Sequence, residues 1–164
     1  MPATTRKSDP LRRIILKSAS ASGAIGVLLA SGLLRPTGVL AADWNRPAFT
    51  ATSLPDAIKA SGLTGSVESS GIVIKTVDIA ENGAQVPLEV VSNIAGSQTI
   101  AVFVDKNPLP LAASLSFAKG ALARVRLQLK MAESSRIRIV VRAADGKTYH
   151  ASREVKVTLG GCGG

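Results

Sequence analysis

Between Ile72 and Thr158 the chain changes polarity at almost every second residue, a period that only an extended strand with one dry face and one wet face satisfies. The pattern is plainest late in the chain. Val125, Leu127 and Leu129 interleave with Arg124, Arg126, Gln128 and Lys130, and Ile137, Ile139 and Val141 interleave with Arg136, Arg138 and Arg142. On this basis strands are predicted over 72–79, 86–93, 98–105, 112–117, 122–130, 136–143 and 147–158.

The breaks between these runs carry turn chemistry. Glu81-Asn82-Gly83, Ala95-Gly96-Ser97, Lys106-Asn107-Pro108, Lys119-Gly120 and Asp145-Gly146 are rich in residues that tolerate positive φ or fix a bend. About seven short strands at such spacing predict an all-β, immunoglobulin-like antiparallel β-sandwich, here without the Cys and Trp marks of antibody domains. Ahead of the strands, Ser53-Leu54-Pro55-Asp56 has the order of a helix cap, a first-turn proline and an acidic residue at the positive helix end. A short N-terminal helix is therefore expected from Leu54 to Ala60, stopped by Gly62 and Gly65.

Only 3% of the 164 residues are aromatic against 46% hydrophobic, so the core must be built from Val, Ile, Leu and Ala. The net charge of +9 suggests a nucleic-acid partner until it is located. Arg6, Lys7, Arg12, Arg13, Lys17 and Arg35 against Asp9 account for much of it, and the part after Ala41 keeps 14 basic and 10 acidic residues. With Trp44, Tyr149 and three Phe as its aromatics, that part lacks the basic, aromatic-interleaved face of a nucleic-acid binder. The arginines of the last strands read first as an ordinary solvated face, and second as a stripe for an acidic partner.

The first 41 residues have a charged start, an apolar middle and a small-residue end at Val39-Leu40-Ala41, the three parts of an export signal. Arg12-Arg13, with Leu16 and Lys17 close behind, resembles the twin-arginine signal read by a translocase for folded proteins. The stretch from Ala19 to Leu34 holds three Ser and three Gly and is short for the roughly 20 apolar residues of a membrane span. Cleavage after Ala41 or Ala42 is expected, leaving a periplasmic mature form without a membrane anchor.

Cys162 is the lone cysteine, so no intrachain disulfide and no cysteine-rich metal site can form. It stands in Gly160-Gly161-Cys162-Gly163-Gly164, where the glycines remove every neighbouring Cβ. Such a segment should be a slender, mobile tether that lets the sulfur reach of order 10 Å beyond the last strand. A thiol catalyst would need a base, a cation or a helix N-terminus beside it, and the sequence around Cys162 offers none. His150, the lone histidine, lies in the last predicted strand and could serve Cys162 only if the tail folded back. A prenylation box does not fit, because two residues rather than three follow Cys162. A terminal Gly-Gly of the ubiquitin-like kind calls for cytoplasmic adenylation, against the export signal.

That ending, after a twin-arginine signal and a β-rich region, resembles the SoxY family, the sulfur-carrier subunits of the periplasmic thiosulfate-oxidising Sox system. The resemblance implies a non-enzymatic carrier with Cys162 as the covalent attachment point and Gly160, Gly161, Gly163 and Gly164 as its swinging arm. It implies no cofactor, a heterodimer with a SoxZ-like subunit, and transient contacts with a c-type cytochrome complex, a dimanganese sulfate-releasing hydrolase and, in some systems, a sulfane dehydrogenase. The domain plan is a signal over 1–41, a carrier domain over 42–159 and the arm over 160–164. Two rivals remain at this point: a thiol redox enzyme using Cys162 with His150, and an assembly module with an incidental tail.

Overall fold

The computed structural model describes residues 44–159. Two short helices come first, α1 over Arg46–Thr50 and α2 over Leu54–Ala60. Nine strands follow: β1 Val67–Glu68, β2 Ile72–Thr76, β3 Ile79–Asn82, β4 Val86–Ser92, β5 Ser97–Val104, β6 Leu111–Ser116, β7 Arg124–Leu129, β8 Ser135–Ala143 and β9 Thr148–Leu159. Among the described residues, no helix is long and apolar enough to cross a membrane.

The strands form two sheets. One has the order β2-β4-β7, all antiparallel. The other has the order β1-β9-β8-β5-β6, with β3 also pairing β9. Strands β1 and β3 both run parallel to β9, the first beside Tyr149 and His150, the second beside Lys156 to Leu159. Between them the chain leaves for the other sheet as β2 and returns through Val77 and Asp78. The sandwich is immunoglobulin-like as expected. The difference lies in the segment predicted as one strand over 72–79, which is two strands in two sheets, and in the parallel pairs this switch creates.

The dry faces of the two sheets meet in a core of Ile72, Val86, Leu88, Val90, Ile100, Val102, Val104, Val125, Leu129, Ile137, Ile139, Val141 and Val155, closed by Met131. Each such side chain contributes on the order of 1.5–3 kcal/mol by leaving water. A second, smaller core lies on the outer side of the larger sheet. There Ala101 and Phe103 of β5, Val140 of β8 and Leu111 of β6 meet Ala48, Ala57 and Leu63 from the helical segment. This explains the unbroken apolar run Ile100 to Val104, which is buried on both faces instead of alternating.

Helix α2 is capped as its sequence predicts. Ser53 Oγ accepts from the Asp56 N–H at 3.3 Å and donates to Asp56 Oδ2 at 2.6 Å. At its other end Gly62 takes φ +64°, its N–H donates to Lys59 O, and the Leu63 N–H donates to Ile58 O, the two bonds that close a helix with a left-handed residue. Arg142 crosses this end and donates from Nη2 to Ser61 O at 3.1 Å and Gly62 O at 2.6 Å, tying the helix to the sheet.

The arginines do not form one stripe. Arg124 and Arg126 sit on β7 in the smaller sheet, while Arg136, Arg138 and Arg142 sit on β8 in the larger one. Arg124 and Arg126 close on Glu89 at 2.6 and 3.0 Å, and Arg138 closes on Asp105 at 3.3 Å. Burial opposes ionisation of Glu89, but the hydrogen bonds and charges of Arg124 and Arg126 outweigh it and hold that carboxyl below its ordinary range.

Candidate functional site

The site is best approached from the strand that leads to it. Strand β9 is the longest, twelve residues, and is paired on both edges. On one side β8 runs antiparallel from Thr148 to Val155. On the other, β3 covers its last four residues, with Ile79 opposite Lys156 and Asn82 opposite Leu159.

The end of β9 is clamped rather than frayed. The Lys156 N–H donates to Asp78 O at 2.9 Å, and Thr158 Oγ1 donates to Glu81 O at 3.0 Å. Ser134, in the loop between β7 and β8, accepts from the Val157 N–H at 2.8 Å and returns a 3.3 Å bond to Val157 O. Leu159 O accepts from the Gly83 N–H at 2.8 Å, and Gly83 O in turn accepts from the Met131 N–H at 2.7 Å. The last described residue is thus held by a hydrogen bond from the turn after β3, while Leu159 as a whole stands 70% exposed.

Cys162, Gly160, Gly161, Gly163 and Gly164 lie outside the described residues, as do Arg12, Arg13 and the cleavage positions Ala41 and Ala42. What the fold does place is their point of attachment, a fixed root at one pole of the sandwich. The turn after β3 and the loop between β7 and β8 share that pole, as their bonds to β9 show.

His150 lies far from that root. Its Nδ1 is 3.1 Å from Ser66 Oγ and 3.2 Å from Ser66 O, so the ring is engaged at the start of β9. At about 3.3 Å per residue, the strand from His150 to Leu159 covers about 30 Å. Three residues of chain reach only about 10 Å, so Cys162 and His150 of one molecule cannot meet. Among the described residues no three His, Cys, Asp or Glu side chains gather as a metal site would require.

Reading the sequence missed the pieces that fix the root. Strand β3 was hidden by Asp78, which interrupts the apolar run, and by Ala80, its one inward-facing buried residue. The pair of exposed apolar residues flanking Asp78, Val77 and Ile79, was the available signal. Ser134 carries no pattern at all, since its role depends on a neighbour 23 residues away.

Fold and root together define an immunoglobulin-like sandwich whose last strand is fixed at its C-terminal end. The family model described as "Sulfur oxidation protein SoxY" matches residues 59–162, which include Cys162. The chain belongs to the SoxY family of sulfur carriers. Among solved structures, the sulfur carrier protein SoxY from Chlorobium limicola f thiosulfatophilum matches with 40% identity and a TM-score of 0.58, over 65% of this chain and 97% of that one. The superoxide reductase (neelaredoxin) of Ignicoccus hospitalis matches at 15% identity with a TM-score of 0.48, over 62% of this chain and 86% of that one, a distance at which it says nothing about chemistry. A search of the curated proteins finds no match.

Proposed function

We propose that this chain carries thiosulfate-derived sulfur covalently on Cys162 and presents it to the enzymes that transform it. The observation that carries the reading is the clamped end of β9, a fixed root from which a glycine-flanked Cys162 would extend. The family match through Cys162 supports it.

Loading forms one S–S bond. The Cys162 thiol and thiosulfate join as an S-thiosulfonate, releasing one proton and two electrons, and the electrons pass to a c-type cytochrome partner. Hydrolysis then adds water across the terminal S–S bond, releasing sulfate and a proton and leaving Cys162 as a persulfide. Both chemical steps belong to partners, so the carrier has no catalytic residue and no cofactor of its own.

Export by the twin-arginine route to the periplasm, cleavage after Ala41 or Ala42 and a tight pair with a SoxZ-like subunit complete the proposal. A folded pair sharing one signal accounts for that export route. Intact-mass analysis of the full chain after incubation with thiosulfate and the partner cytochrome tests the reading. The wild type should gain an adduct that Cys162→Ser lacks, and an adduct of equal yield on Cys162→Ser would refute it.

A further inference from the structure

Besides the two-residue β1, strands β2, β6 and β7 end their sheets. Charge guards two of these edges: β2 carries Lys75, and β7 carries Arg124 and Arg126 and runs into Lys130. Strand β6 reads Leu-Ala-Ala-Ser-Leu-Ser, with neither charge nor proline. Native sheets ordinarily protect such an edge, because its unused N–H and C=O groups are a template for another strand.

The register tells which groups are unused. The Phe117 N–H donates to Gln98 O at 2.8 Å, and Leu115 and Ala113 stand opposite Ile100 and Val102, so alternate residues from Ala113 to Phe117 bond to β5. The N–H and C=O groups of Ser114 and Ser116 therefore point away from β5, and both residues are exposed. The core is thin at the same place. Ala113, Leu115 and Phe117 pack against the main core from the β6 side and Leu127 from β7, and all four are only partly buried. A groove of about 380 Å³ opens between the two strands, lined by Asn107, Ala112 and Ala113 on one side and Leu127 to Lys130 on the other. Past the far end of β6 lies a second recess, of about 540 Å³, walled in part by Phe117, Lys119 and Leu122.

Free backbone groups beside part-open core side chains call for an extended chain segment, and charge narrows which one. Lys130 stands at one end of β6 and Lys119 at the other; neither makes an ion pair among the described residues, and no carboxylate lines either opening. A second copy fits poorly. Two β6 edges joined about a two-fold axis would set the Lys130 end of one molecule against the Lys119 end of the other, like charge against like. We propose that β6 takes up an extended strand of a different polypeptide, apolar at alternate positions and acidic at its ends. Its backbone pairs with Ser114 and Ser116, and its apolar side chains close the gap over Leu115 and Leu127. Four strand spacings place the added strand about 19 Å across the sheet from β9, clear of the root.

Fluorescence anisotropy of the labelled peptide Glu-Val-Thr-Val-Thr-Val-Glu, titrated with the full chain, tests this. The peptide should bind saturably, and its counterpart with lysine at both ends about tenfold more weakly or worse. At saturation, amide exchange at Ser114 and Ser116 should slow about tenfold or more. Exchange at Ile74, whose N–H faces the free edge of β2, should not change. Ser114→Pro removes an N–H that β5 does not use, so the variant should stay folded and bind about tenfold more weakly or worse. A peptide with every inner amide N-methylated should lose binding to the wild type in the same way, which frees the test from any folding defect in the variant. No saturable binding, equal affinity for the lysine-ended peptide, protection at Ile74 instead of Ser114, or full affinity of the N-methylated peptide would overturn the proposal. Self-association of the chain alone in sedimentation equilibrium, abolished by Ser114→Pro, would give the edge to a second copy and overturn it equally.

Discussion

Strands β5 and β9 lie in the same sheet with only β8 between them, yet five consecutive residues of β5, Ile100 to Val104, are closed to water, whereas β9 buries only Thr148 and Val155. The helical segment accounts for the contrast. It covers the outer face over β6, β5 and β8 and contributes no core residue over β9, so the fold is three layers deep on that side of the sheet and two layers deep at β9. Stability is concentrated away from β9, and the end of β9 is fixed chiefly by hydrogen bonds to β3 and to the loops around it. On the proposed function this division would let partners handle Cys162 without disturbing the core.

The contrast should be widest in side-chain truncation. Phe103→Ala removes a fully buried ring shared by sheet and helices and should cost about 3–5 kcal/mol in urea unfolding, while Leu159→Ala should stay within about 0.5 kcal/mol. A comparable loss in both would erase the distinction between the helix-covered strands and β9. Next in size, Arg142→Ala removes two bonds to the end of α2 and should cost about 1–2 kcal/mol. Amide exchange in α2 should rise with it, whereas that at Val157 should not.

Ser134→Ala makes the reverse test. It leaves the Val157 N–H without its side-chain acceptor, so exchange at Val157 and Thr158 should accelerate while global stability falls by about 1 kcal/mol. If exchange at the end of β9 were unchanged, the clamp would not be what holds the root.

The smallest effect concerns Glu89. Its folded carboxyl lies below the ordinary 4.5, so the pairs with Arg124 and Arg126 contribute stability above that pH, and the contribution disappears as pH falls through the lowered value. The stability difference between wild type and Glu89→Gln should therefore be constant near neutrality and shrink in acid. A difference that grew in acid would reverse the sign.

The sequence made the seven long strands legible because alternation and turn chemistry are local. Gly146, at φ +80° after Asp145, closes the β8–β9 hairpin as its dipeptide suggests, whereas Asn82-Gly83 turns the chain from one sheet to the other without a positive φ, Asn82 Oδ1 accepting from the Ala84 N–H at 2.8 Å. Alternation tells which face of a strand is wet but not which sheet the strand joins. For that reason Arg126 and Arg136 looked like one surface and belong to two, and Ile72 and Ile79 looked like one strand. Helix α1, held by Asn45 accepting from the Ala48 N–H at 3.2 Å, escaped notice because five residues are too few to show a period. Of the site, Cys162 and its glycines stood out by composition alone. The root did not, since Gly83, Glu81 and Asp78 hold β9 through backbone carbonyl and amide groups that every residue possesses.

The most direct measurement follows one sulfur atom through two steps on the same molecule. Full chain loaded with thiosulfate by the cytochrome is treated with the sulfate-releasing hydrolase, and the peptide containing Cys162 is weighed before and after. One sulfate should be released per adduct while the peptide keeps a single extra sulfur as a persulfide. Release of both sulfur atoms into solution with an unmodified Cys162, or turnover of thiosulfate by the purified chain alone, would contradict a carrier that holds its cargo between enzymes.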